Sequence, residues 1–165
     1  MSENWLLRLA DELAAELHDF LTIRVEIKEA QSRITTQEPD SFELRAIGSI
    51  LHDVYQNAEN ILQRIAKAID QKQPVGEEWH RALLSQMTKP LTKTRPEVIQ
   101  PETSTLLDEY RKFRHIFRNI YGFRLDWTQM KPLLDNAEYT IDLFATDIER
   151  FIAFLRMMGQ DCANE

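Results

Sequence analysis

The sequence predicts an all-α fold: an up-and-down antiparallel helical bundle of four long helices plus one short helix. Apolar residues recur at intervals of three and four over most of the 165 residues, which is the spacing of one buried helix face. Glycine occurs only 4 times and proline 6 times, and the prolines sit mostly between helical segments. A β-rich chain of this length would need many more turn residues. The length suits one domain with one core, expected to span residues 1–158, with a flexible tail over 159–165.

The first predicted helix runs from about Glu3 to Ile34, with Leu6, Leu9, Leu13, Leu17, Phe20, Leu21 and Ile27 as its stripe. Thr35 to Asp40 break it. The second starts near Ser41, with Asp40 or Ser41 as N-cap. Its core face is Phe42, Ile47, Ile50, Leu51, Val54, Tyr55, Ala58, Ile61, Leu62, Ile65 and Ile69. Gln73-Pro74-Val75-Gly76 ends it. A short helix follows over about Glu77 to Met87, and Pro90 and Pro96 mark an irregular stretch over 88–100. The fourth opens near Pro101, a residue suited to a first turn, and is expected to stop at Gly122. The last covers about Thr128 to Met158, with Leu133, Leu134, Ile141, Phe144, Ile148, Ile152 and Leu155 facing inward.

Composition narrows the functional classes. Hydrophobic residues at 43% and charged residues at 28% describe a globular chain rather than a disordered one. No window approaches the roughly 18–20 apolar residues of a membrane span. The N-terminus lacks the basic start of a signal peptide, so a cytoplasmic protein without membrane contact is expected. The single cysteine, Cys162, excludes an intrachain disulfide and a cysteine-based metal site, and reads as an incidental thiol. A net charge of −7 argues against wholesale coating of nucleic acid, though not against a local basic site.

One segment reverses that charge. From Arg111 to Leu125 there is no acidic residue, while Arg111, Lys112, Arg114, Arg118 and Arg124 all fall there. At about 100° per residue, Arg111, Arg114, His115, Arg118 and Tyr121 share an arc of about 120°. Leu106, Tyr110, Phe113, Ile116, Phe117 and Ile120 fall opposite and are expected to pack in the bundle. Spacing leaves two readings open. The face is solvated and its arginines pair with acidic groups on neighbouring helices, or it is a phosphate or RNA site. In the second reading arginine forks onto phosphate oxygens, histidine moves a proton near neutral pH, and Tyr121 offers a hydroxyl. RNA cleavage needs no metal if the 2′-hydroxyl is activated and the phosphorane charge is stabilised.

At these residues the chain resembles the HepT-like branch of the HEPN superfamily, small helical toxins of bacterial toxin–antitoxin pairs. Their signature is an arginine, a polar residue, three further residues, a histidine, one residue and a tyrosine. Arg114 matches the arginine, His115 the polar neighbour and Tyr121 the tyrosine; Asn119 stands where the family has its histidine. Asparagine cannot act as a general acid or base near pH 7. The likeness extends over Leu51 to Leu62, Gly76 to Leu84 and Tyr121 to Trp127, and covers about residues 40 to 158.

The resemblance implies a HEPN-like bundle that forms a homodimer with an RNA-cutting cleft between the copies. It implies metal-independent endoribonuclease activity with Arg114, His115, Asn119 and Tyr121 at the catalytic site and Arg111, Arg118 and Arg124 binding RNA phosphate. The implied partner is a small nucleotidyltransferase (MNT-type) antitoxin that silences the toxin by transferring AMP from ATP onto Tyr121. Added negative charge in a basic cleft is a physical route to inhibition. Asn119 leaves three outcomes open: a weakened enzyme, a role for His115 in proton transfer, or an inactive scaffold that only binds its nucleotidyltransferase partner or RNA. A stand-alone helical module is a third class.

Other candidates divide similarly. His80 is a polar surface residue or a second catalytic group. Glu59 either forms a salt bridge, with an arginine of the fourth helix as a candidate partner, or orients Arg114. His18 and His52 read as helix-surface residues rather than ligands. No His/Glu spacing resembles a two-metal site and no glycine-rich loop cradles phosphate, so neither a metal nor a cofactor is expected.

Overall fold

Local capping bonds start several of the helices, and a shared core holds them together. In the computed structural model, which describes residues 4–119 and 124–163, the elements are α1 (Trp5–Leu21), α2 (Ile23–Arg33), α3 (Ser41–Ile65), a π-helical turn (Ala66–Asp70), α4 (Trp79–Met87), α5 (Pro101–Asn119), α6 (Trp127–Asp135) and α7 (Ala137–Ala163). The fold is an all-α bundle, with two of the expected long helices each divided in two.

The first division falls at Thr22. Its hydroxyl and its amide both bond back to the Asp19 carbonyl, at 2.6 and 3.2 Å, which interrupts the regular ladder. The second falls at Asn136. Pro132 removes one ladder donor inside α6. The Asn136 side-chain amide then donates to the Pro132 carbonyl at 2.8 Å, and the Asn136 carbonyl accepts from Thr140 to open α7. The last helix runs beyond Met158, where periodicity ended it, to Ala163. Gly159 is buried there, with Leu7 so close that a Cβ would collide with it, and its carbonyl accepts from Asn4.

Contacts between the ends show which helices run antiparallel. α1 packs most extensively on α7, with Asp11 paired to Arg156 at 3.1 Å and Asn4 beside Gly159. α3 lies against α5, with Gly48 under Phe117 and Gln56 bonded to Arg114. α3 is the centre of the bundle and touches every other helix. Asp40 rather than Ser41 caps it: the Asp40 carboxylate accepts from the Glu43 amide at 2.8 Å and Glu43 returns the bond at 3.0 Å. Phe42, expected in the core, is 81% exposed. It sits nine residues before the buried Leu51, about half a turn out of phase at about 100° per residue.

The start of α5 is fixed from a distance. The buried Asp147 carboxylate on α7 accepts from the Gln100 amide at 2.9 Å and the Thr103 hydroxyl at 2.6 Å. It satisfies donors that a helix start leaves open and places a negative charge at the positive end of the helix dipole. The far end of the irregular stretch is tied by Arg95, buried with Asp70 of the π-helical turn (Nε–Oδ1 2.5 Å, Nη2–Oδ2 2.7 Å). The expected helix stop at Gly122 lies outside the described residues.

Candidate functional site

The buried stripe of α5 is Thr103, Leu107, Tyr110 and Phe113, with Phe117 half-buried after them. On the helical wheel this stripe is turned by about 60° from the expected one, toward Arg114. Two corrections follow from that rotation. Ile116, expected to pack inward, is 53% exposed. Arg114, expected on the outer face, is half-buried against α3. The rotation follows from α3, whose Gly48 leaves a hollow that the Phe117 ring fills at 2.7 Å from where a Cβ would stand.

Arg114 is positioned by a neutral group. Its Nε and Nη2 both donate to Gln56 Oε1, at 3.0 and 2.7 Å. Gln56 is in turn fixed by donating to Asn60 Oδ1 at 2.9 Å. Among the described residues no carboxylate pairs with Arg114, so the guanidinium keeps its full charge and further N–H groups for an anion. Gln56 was not singled out by the sequence; a glutamine one position from the buried Tyr55 was the only signal.

The other cations differ in state. Arg111 bonds through Nε to Asp108 Oδ1 at 2.6 Å, and Lys112 pairs with Glu109 at 2.9 Å and Asp108 at 3.4 Å. Their acidic partners come from the preceding turn of the same helix, not from neighbouring helices. Burial pushes the Asp108 carboxyl up, but the hydrogen bond and charge of Arg111, with Lys112 behind it, hold it below the usual carboxylate value. Burial also disfavours the charged Arg111, and Asp108 outweighs it. His115, Arg118, Asn119 and Arg124 are exposed. The Asn119 amide donates to the His115 carbonyl at 2.7 Å, closing the last described turn of α5. Tyr121, the fourth member of the expected catalytic set and the expected modification position, lies outside the described residues.

Beneath the arginines lies a second polar group. Glu59, with a side chain 1% exposed, accepts a 2.5 Å hydrogen bond from His80 Nδ1. It pairs with α4 and not with an arginine of α5, contrary to the salt bridge considered from sequence. The His80 ring stacks on Trp79 with centroids 3.7 Å apart. Tyr55 is fully buried, with its hydroxyl beside the Glu59 carboxylate. Burial pushes the phenol upward, the nearby Glu59 carboxylate adds to the shift, and Arg111 and Arg114 oppose it. The charge of Glu78, next to Trp79, in turn acts on Arg111. Helices α3, α4 and α5 therefore bring Tyr55, Glu59, His80, Arg111 and Arg114 into one neighbourhood.

A family model described as HepT-like protein matches residues 46–155, about two thirds of the chain, from the first turns of α3 to near the end of α7. No curated protein and no solved structure matches the chain. Among the described residues no helix is long and apolar enough to cross a membrane.

Proposed function

Because the chain belongs to the HepT-like protein family, we propose that it is the toxin component of a toxin–antitoxin pair, a metal-independent endoribonuclease working at a cleft between two copies. The observation that carries this reading is Arg114 itself. It stands at the position of the arginine in the signature that the sequence resembles, it lies within the matched segment, and a neutral amide holds it in place without consuming its charge. An arginine so placed stabilises a pentavalent phosphorane without first breaking an ion pair. His115 and Arg118, exposed on the following turn, extend the basic surface along an RNA backbone, with Arg111 and Arg124 contributing charge. Exposed Ile116 adjoins a groove between α5 and α6, lined by Leu106, Phe113 and Pro132, which supplies apolar surface for a second copy. The proposed regulator is a small nucleotidyltransferase antitoxin that adds nucleotide to Tyr121.

The test is cleavage of RNA by the purified chain free of its partner. Arg114→Ala is expected to reduce turnover by about 100-fold or more, the scale for removing one transition-state donor. Equal cleavage by wild type, Arg114→Ala and His115→Ala would remove this face from the mechanism.

Asn119 favours a second reading, an inactive scaffold that binds its nucleotidyltransferase partner or RNA. Its amide is bonded to its own helix and carries no titratable proton. Asn119→His separates the two. Ribonuclease activity gained on an inactive parent supports the scaffold, and an active parent excludes it.

A further inference from the structure

Resting on the ribonuclease reading, we propose that His80, held by Glu59, is the proton-carrying catalytic residue of this chain and supplies from α4 what Asn119 cannot supply from α5. A fully buried carboxylate bonded to imidazole Nδ1 fixes the ring's orientation and leaves Nε2 as the proton-transfer atom, the arrangement by which a carboxylate prepares a histidine for general-base work. Trp79 stacking fixes the ring plane. The His80 side chain is 23% exposed, so the ring is held from behind yet open to solvent.

The charges around it suit a phosphodiester. Tyr55 of α3, Glu78 just before α4, and Arg111 and Arg114 of α5 are charged or titratable groups of the same neighbourhood as the Glu59–His80 pair. The two arginines supply the anion-binding side. The buried Tyr55 hydroxyl lies beside the Glu59 carboxylate, on the side away from His80's solvent-open face.

In the reaction, His80 Nε2 takes the proton of a ribose 2′-hydroxyl. The 2′-oxygen attacks the adjacent phosphorus, and the bond to the 5′-oxygen of the next nucleotide breaks. That oxygen takes a proton from water and the imidazolium returns its own to solvent, giving a 2′,3′-cyclic phosphate and a 5′-hydroxyl end. Arg114 bears on the phosphorane oxygens. Glu59 is a positioning residue.

The experiment follows cleavage of an RNA oligonucleotide against pH for the full chain and for His80→Gln, Glu59→Gln and His115→Ala. His80→Gln keeps a donor for Glu59 and is expected to lower kcat by about 10²- to 10⁴-fold, with KM unchanged and the acid limb of the profile gone. Glu59→Gln is expected to lower kcat with KM unchanged. A second measurement needs no variant: adding an uncleavable 2′-deoxy oligonucleotide to wild type should move the His80 ring resonances. Full activity in His80→Gln with loss in His115→Ala overturns the assignment and leaves the ribonuclease reading standing. Ring resonances unmoved by a bound oligonucleotide overturn it even if the variant fails to fold. A wild-type chain that leaves RNA intact at every pH overturns both.

Discussion

Gly48 sets how closely α5 approaches α3, and Gly48→Ala tests that statement quantitatively. A Cβ at this position would stand 2.7 Å from Phe117 Cε2, 3.1 Å from its Cδ2 and 3.4 Å from Leu125 Cδ1. The Phe117 ring cannot swing away freely, because it stacks on Phe113 and tilts against His52, each with centroids 5.8 Å apart. Two effects oppose each other. Alanine in a helix interior is favoured over glycine by about 1 kcal/mol. Forcing an extra carbon into a packed contact costs about 1–3 kcal/mol. The steric term is the larger, so Gly48→Ala is expected to destabilise by about 1 kcal/mol, lowering Tm by about 2–4 °C for a chain of this size. Phe117→Leu should relieve the clash, giving a coupling of about 1 kcal/mol in a double-mutant cycle measured by urea denaturation. A rise in Tm for Gly48→Ala, or strict additivity of the two changes, would refute the account of how α5 is rotated and Arg114 placed.

Three further outcomes follow from named contacts. Arg95→Met leaves the Asp70 carboxylate, with a side chain 4% exposed, buried without its cation; a loss of about 3–5 kcal/mol is expected by chemical denaturation, largely recovered when Asp70→Leu is added. Asp40→Ala removes the carboxylate that accepts from the Glu43 amide at the start of α3, while the backbone bond to Glu43 remains, and should lower the urea midpoint by the equivalent of about 1 kcal/mol, whereas an unchanged midpoint would show that this cap does not stabilise the helix. Asp108 has its folded-state pKa depressed below the unfolded value. Its contribution is therefore full above the unfolded value of about 4 and is lost as pH falls through the folded value. Asp108→Asn should flatten the fall in stability across that acid window while leaving the slope near pH 7 unchanged.

Much of this molecule is legible from apolar spacing, because burial of a helix face depends on periodicity that the chain writes locally. The stripes over Leu9 to Phe20 and Ile47 to Ile65 are buried where spacing places them. The basic character of α5 is likewise a matter of composition. Breaks within helices are less legible: Thr22 and Asn136 act through side-chain bonds to a carbonyl that an uninterrupted pattern does not reveal. Phe42 was misread by residue type alone, against its phase.

Sequence by itself determined that this chain is helical, which residues form its stripes, and that Arg114 and His115 sit on a cationic turn. Tertiary structure decided the rest: the rotation of α5 set by a glycine on α3, Gln56 as the anchor of Arg114, Asp147 as the distant cap of α5, and the pairing of Glu59 with His80. Each depends on two groups far apart along the chain meeting at hydrogen-bond or van der Waals range. A single helix encodes which of its sides is apolar. Which polar group faces which emerges only when the helices dock, because packing fixes rotation and depth to within a fraction of a turn.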